Sequence, residues 1–250
     1  MTNHKVVSKQ EWTAARVAHL QKEKELTRQR DELARQRREL PWVKVDKEYV
    51  FDRPGGGKET LAELFDGRGQ LVVYHFMFDP AWSQGCKSCS FLADHYNPAV
   101  VHLAHRDVTL VTVSKAPIEK LEAFRKRMGW TFKWVSSFNN DFNRDFHVSF
   151  SEQELASPLS VYNYDRKPYP IPELPGMSVF ARDDAGDVFH TYSTYARGLD
   201  IFLGAYQILD LVPKGRDEAD LPGMAWLRHH DRYDDPNFVD PWNEKAVAAR

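Results

Sequence analysis

Residues 71–78, Leu-Val-Val-Tyr-His-Phe-Met-Phe, are apolar at all positions but one, which predicts a central strand buried on both faces between helix layers. Residues 108–113 carry a second such run. The stretch 86–105 between them reads as helix, interrupted at Pro98. A strand–helix–strand crossover makes the two strands parallel neighbours. Upstream, residues 8–40 read as one long helix: Ser8 and Glu11 are spaced for a capping box, Val7 can staple onto Trp12, and Pro41 ends it. Leu26, Leu33 and Leu40 recur every seven residues with polar positions between them. That stripe is too narrow for a coiled coil and suits the domain surface, or a partner subunit in a homodimer. The alternating charges, Asp31 with Arg35 and Arg35 with Glu39, describe a solvated face.

Residues 42–51 read as a strand, Gly55-Gly56-Gly57 as a turn, and 61–65 as a short helix. The glycines are not a phosphate loop, because Lys58-Glu59-Thr60 lacks the Gly-Lys-Ser/Thr spacing. Pro117 opens a helix with Ile118, Leu121, Phe124 and Met128 on one face, and Gly129 stops it. Residues 137–176, rich in Asn, Asp and aromatics and then in Pro158, Pro168, Pro170, Pro172 and Pro175, read as an ordered insertion. Residues 177–182 and 187–192 flank Asp183-Asp184-Ala185-Gly186, a hairpin signal, and 199–212 form a closing amphipathic helix. The tail carries Trp226, His229, His230, Tyr233 and Trp242, more aromatic weight than a disordered end needs. The organisation expected is a helical extension (1–41), an α/β domain (42–212, insertion about 137–176) and a tail (213–250) packed back on it.

Bulk composition narrows the function. The 250 residues are 42% hydrophobic, and 34 Lys and Arg nearly cancel 36 Asp and Glu. This leaves no basic footprint for nucleic acid and no polybasic patch for a membrane. No apolar run is long enough for a signal peptide or a span, so the expected location is the cytoplasm. Two cysteines cannot make a disulfide framework, and in a reducing compartment a close pair points to redox chemistry or metal binding.

That pair is Gly85-Cys86-Lys87-Ser88-Cys89, where a buried strand meets a helix start. A cysteine at a helix N-terminus faces free N–H groups that favour thiolate over thiol. A second cysteine three residues on lies one turn away on the same face, within reach of a disulfide. Lys87 adds positive charge, and no acid intervenes between Asp79 and Asp94. Cys86 is the expected nucleophile and Cys89 the resolving thiol, exchanging electrons with a thiol or disulfide partner without a cofactor.

The order strand, Cys-Xaa-Xaa-Cys helix, strand, helix, hairpin, helix resembles the thioredoxin superfamily. Leu174-Pro175-Gly176-Met177-Ser178-Val179-Phe180 is similar to that family's cis-proline strand, with a Phe five residues after the proline. The resemblance implies that Pro175 is cis and packs against the cysteines, that the backbone beside it at Gly176 is open to substrate, and that Trp82 and Lys87 border the substrate too. It also implies the fold class: a mixed α/β sheet flanked by helices. More closely, residues 72–78 with Trp82, 86–90 and 226–233 resemble a bacterial thioredoxin-like domain-of-unknown-function family of predicted dithiol–disulfide oxidoreductases, over nearly the full length. The thioredoxin Trp-Cys-Gly-Pro-Cys core is missing here and, relative to thioredoxin, about forty residues are inserted before Pro175, which implies a restricted pocket.

Two other functions fit parts of the pattern. Ser83-Gln84-Gly85-Cys86 matches the Ser/Thr-Xaa-Xaa-Cys part of a peroxiredoxin site, with Cys86 peroxidatic, although the companion proline falls one residue late at Pro80. Two thiolates and a histidine could hold copper or zinc, with His75 or His190 as third ligand; His95 falls on a different helix face.

Overall fold

The computed structural model describes residues 4–221 and 223–240. The chain divides into two compact units, one ending at Trp42 and the other beginning at Val43. The first is a single helix, α1 (Lys9–Arg38), started by reciprocal hydrogen bonds between Ser8 and Glu11. None of its residues is buried. Its order therefore rests on the cap and on neighbouring pairs such as Glu32 with Arg35 and Arg35 with Glu39, each contributing a few tenths of a kcal/mol, roughly.

The second unit is a mixed α/β fold, one sheet flanked by helices. In chain order it comprises β1 (Val43–Lys44), β2 (Val50–Asp52), β3 (Lys58–Thr60), a 3₁₀ turn (Glu63–Phe65), β4 (Gln70–His75), α2 (Lys87–Ala93), α3 (Asn97–Ala104), β5 (Val108–Ser114), α4 (Ile118–Arg127) and β6 (Lys133–Ser136). The insertion follows with α5 (Phe142–Asp145), α6 (Glu152–Leu155), β7 (Val161–Tyr162) and β8 (Asp165–Arg166). Then come β9 (Gly176–Arg182), β10 (Val188–Tyr195), a 3₁₀ segment (Ala196–Phe202) and α7 (Gly204–Leu209). Eight strands make one sheet in the order β1-β10-β9-β4-β5-β6-β2-β3. As the double-buried pattern predicts, β4 is interior, parallel to β5 and antiparallel to β9.

Residues 42–51 are not one strand. β1 pairs with β10 at one edge, and β2 pairs with β6 and β3 at the other. The link from Lys44 to Val50 reaches at most roughly 20 Å, whereas β1 and β2 would lie roughly 29 Å apart across a flat sheet. The sheet is therefore curled, and its edges approach. The closing helix expected over 199–212 also differs: Leu203 leaves the helical region at φ −86°, ψ 75°. α7 starts afresh there, with the Ala205 N–H donating to His95 Nε2 at 3.2 Å.

Strand alternation on β4 separates two cores. Leu71 and Val73 enter one with Val111, Val113, Val135, Phe142 and Phe180, covered by the 3₁₀ turn and α5. Tyr74 and Phe76 enter the other with Trp134, Met177, Tyr206 and both cysteines, covered by α2, α4 and α7. Side chains of β4 two residues apart thus decide what lies beneath the cysteine pair.

Candidate functional site

Past β4 the chain stays pinned. Phe76 N–H donates to Val113 O at 2.9 Å, and Ser114 Oγ donates to Phe76 O at 2.7 Å. The loop over 79–85 is fixed by Lys120 Nζ, which donates to Pro80 O at 2.7 Å and Trp82 O at 3.0 Å. Gly85 passes so close to the core that a Cβ there would lie 2.7 Å from the Phe76 ring and 3.0 Å from Phe124. Only glycine fits this approach, and it delivers Cys86 to the N-cap of α2 at φ −57°, ψ 133°. Cys86 N–H donates back to Met77 O at 3.1 Å. Pro98 splits the helical run, so α2 and α3 are separate.

Cys86 and Cys89 approach to 3.6 Å; neither is in a disulfide, and each is 1% exposed. Burial pushes the Cys86 thiol up, but donation from the Cys89 thiol and from the N–H groups of Cys89 and Ser88 brings it below the ordinary thiol value. The Cys89 N–H lies 3.4 Å from the Cys86 sulfur. For Cys89, burial and the donation of its own proton to Cys86 hold the thiol well above that value. The pair divides into a thiolate-prone Cys86 and a protonated Cys89.

The tail closes over the same spot. His229, fully buried, bonds through Nε2 to Gly85 O at 2.8 Å, and its Nδ1 lies 2.9 Å from Arg127 Nη2. Arg127 also holds Asp231 at 2.9 Å, and His230 Nδ1 meets Asp94 at 2.8 Å. Lys87 is 4% exposed, with Nζ 3.3 Å from Ala225 O and 3.0 Å from Asp240. Its charge is therefore engaged by the tail. The Asp240 carboxylate opposes thiolate formation at Cys86, an acid that the sequence window 79–94 could not reveal.

The remaining sequence-derived positions fall differently. The peptide bond before Pro175 is trans, since no cis bond occurs among the described residues, which corrects the cis expectation. Two contacts hold the chain in extended entry to β9: Leu174 N–H donates to Val148 O at 2.8 Å, and Tyr162 Oη donates to Pro175 O at 2.7 Å. Gly176 is buried, paired with His75 and Tyr195. Trp82 is buried in the cysteine-side core. His75 and His190 are on the opposite face of the sheet, in a chain through Ser178 and Ser193 with contacts of 2.8, 2.8 and 2.7 Å. Neither can join the cysteines around an ion. Among the described residues no three His, Cys, Asp or Glu side chains converge as metal ligands. Trp242 lies outside the described residues.

Sequence reading missed Tyr74, which packs in the core that holds both cysteines, and the Arg127–His229–Asp231 link. Strand alternation places Tyr74 on the Phe76 face and could have found it. Residues separated by a hundred positions carry no local signal of the link.

No curated protein matches this sequence. Among solved structures the chain is similar to peroxidoxin BcpB from Mycobacterium tuberculosis, with 14% identity and a TM-score of 0.46 over 68% of this chain and 97% of that one. It is similar to peroxiredoxin Q from Xanthomonas campestris at 15% and 0.43 over 64% and 89%. A PrxQ mutant from Xylella fastidiosa gives 14% and 0.44 over 67% and 94%. In sequence, residues 1–233 match the family described as Bacterial protein of unknown function (DUF899), and the chain belongs to that family.

Proposed function

We propose that the protein is a thiol–disulfide oxidoreductase in which Cys86 is the nucleophile and Cys89 the resolving thiol. The observation that carries this reading is the 3.6 Å approach of the two cysteines, with the Cys89 N–H donating to the Cys86 sulfur at the start of α2. The Cys86 thiolate attacks a substrate disulfide, forming a mixed disulfide and expelling one substrate thiolate. Cys89 then attacks Cys86, closes the intramolecular disulfide and expels the second. Two electrons move from the pair to the substrate, and a thiol reductant restores the pair. With both sulfurs 1% exposed and Lys87 beneath residues 225 and 240 of the tail, the substrate is a small disulfide or a segment narrow enough to enter under the tail. In this reading Trp82, packed in the core that holds both cysteines, supports the site, and Pro175 and Gly176, at the entry to β9, take no part in the electron transfer.

The same pair would serve a peroxide, Cys86 going to sulfenic acid and Cys89 condensing with it to release water. The test is to expose the reduced protein separately to oxidised glutathione and to hydrogen peroxide, and to follow thiol loss and map disulfides by mass. Rapid Cys86–Cys89 closure with the disulfide supports the proposal, and closure much faster with peroxide moves the assignment to a peroxidase. Two free thiols after both treatments would reject redox function.

A further inference from the structure

Lys87, the residue after Cys86, carries an ammonium withdrawn from solvent. Its side chain is 5% exposed, and both groups that meet Nζ come from the tail: Ala225 O at 3.3 Å and Asp240 Oδ1 at 3.0 Å. The same segment is fastened on the other side of Cys86, where Gln84 Nε2 donates to Val239 O at 3.4 Å and His229 Nε2 bonds to Gly85 O at 2.8 Å. Cys86 itself is 1% exposed, so the residues on both its flanks are tied to tail residues between 225 and 240.

The carboxylate on Lys87 fits loosely. The oxygen nearest the ammonium is buried and takes part in no aligned hydrogen bond among the described residues, so charge holds the pair without a fitted bond. A substrate that reaches Cys86 has to lift the segment that carries Asp240. Lifting it strips Lys87 of its counter-ion, and an unpaired ammonium among protein atoms is costly. A neutral disulfide leaves that cost standing, and a cationic one adds repulsion. A carboxylate on the substrate removes the cost, and being untethered it can align on the ammonium as Asp240 does not.

We propose that Lys87 determines the specificity of the site, that Asp240 holds the place of a substrate carboxylate, and that the substrate is a small disulfide bearing a carboxylate. The inference rests on the dithiol reading above and narrows its substrate. Atoms and electrons move as in that reading. The Cys86 sulfur bonds to one substrate sulfur, and the other leaves with the electron pair as a thiolate that takes up a proton. Cys89 then closes on Cys86 and expels the first half in the same way. Lys87 binds and orients the carboxylate and exchanges no atom with it.

Disulfides that share the same two-carbon arms test this: dithiodipropionate ends in carboxylates, bis(2-hydroxyethyl) disulfide is neutral, and cystamine ends in ammonium groups. The rate of Cys86–Cys89 closure with each is divided by the rate of the same disulfide with free dithiothreitol, which cancels differences between leaving groups. On these corrected rates wild type should favour the carboxylate over the hydroxyl by roughly tenfold or more, the scale of a hydrogen bond to a charged group, with cystamine slowest. Lys87→Met should abolish the preference. So should Lys87→Met combined with Asp240→Asn, which leaves no unpaired buried charge and serves if the single variant does not fold. Asp240→Asn alone should keep the carboxylate first and speed it severalfold, because its place is no longer held. A wild type without the preference, or a preference that survives the loss of Lys87, overturns the assignment. An Asp240→Asn variant no faster than wild type with dithiodipropionate overturns it too. If none of these disulfides closes the pair in wild type, the dithiol reading itself fails, and this inference with it.

Discussion

His229 donates its Nε2–H to the carbonyl of Gly85, the residue before Cys86, at 2.8 Å. Arg127 can only donate, so the Nδ1 it approaches at 2.9 Å must be an acceptor, and the imidazole is the neutral Nε2–H tautomer. Burial first, and the Arg127 charge with it, lower the His229 pKa from 6.5 to about 4, against the opposing bond to Gly85.

Acid should therefore release the tail. Below pH 6.5 the unfolded chain takes up a proton at His229 that the folded chain refuses until about pH 4. Stability from this residue is full above 6.5 and is lost as pH falls toward 4, by at most about 3 kcal/mol. Limited proteolysis from pH 7.5 to 4.5 should show cleavage near 225–240 rising as pH falls. In His229→Gln, cleavage should be high already at neutral pH and flatter with pH. A wild-type tail equally resistant at pH 7.5 and 4.5 rules this out.

Glu173 should act in the opposite sense. It is 2% exposed, and burial raises its carboxyl to about 8 despite bonds from Ser149 Oγ at 2.6 Å and Asn143 Nδ2 at 3.5 Å. The folded state holds a proton that the unfolded state loses near 4.5, so its contribution is full below 4.5 and is lost as pH rises through 8. Glu173→Gln keeps the neutral shape. Thermal melts should show wild type losing stability between pH 6 and 9 relative to this variant, and parallel curves would show that the acid is already ionised.

Asp240 and Lys87, the residue after Cys86, make a pair at 3.0 Å. Asp240→Asn removes the charge that opposes thiolate formation at Cys86 and frees the ammonium of Lys87 to favour it. The midpoint of Cys86 alkylation against pH should move down, by roughly half a unit or more. A midpoint that stays or rises would place Asp240 outside the electrostatic reach of Cys86.

Local patterns carried much of this in the sequence. The interior strand β4, the Pro98 break, the Gly129 stop and the capping box of Ser8 with Glu11 all follow from periodicity or from a rigid residue acting on its neighbours. Residues 42–51 failed because each short edge strand depends on a sheet edge built by distant residues, and curl cannot be read from alternation. The cis expectation at Pro175 failed because the proline-to-Phe180 spacing suits a trans entry held by Val148 and Tyr162 as well as a cis one. The cysteine spacing singled out the pair, while Asp240, Arg127 and His229 come near it only through tertiary packing.

The two thiols should differ in kind. Cys86 accepts N–H bonds from Ser88 and Cys89, whereas Cys89, one turn inside, keeps its proton well above the usual thiol range. Dilute iodoacetamide at neutral pH should modify Cys86 first, at a rate that rises with pH and levels off below the ordinary value of 9.0. Shortening the tail to remove residues 225–250 should speed that reaction, since it uncovers a sulfur that is now 1% exposed. Cys89→Ser should then hold a disulfide substrate as a mixed disulfide on Cys86 that mass spectrometry detects intact and added thiol releases. Cys86→Ser should leave Cys89 unreactive until the protein is denatured, because its low nucleophilicity comes from the folded environment rather than from the residue. Modification of Cys89 ahead of Cys86 in the native protein would reverse the roles and remove the basis for assigning the first step to Cys86.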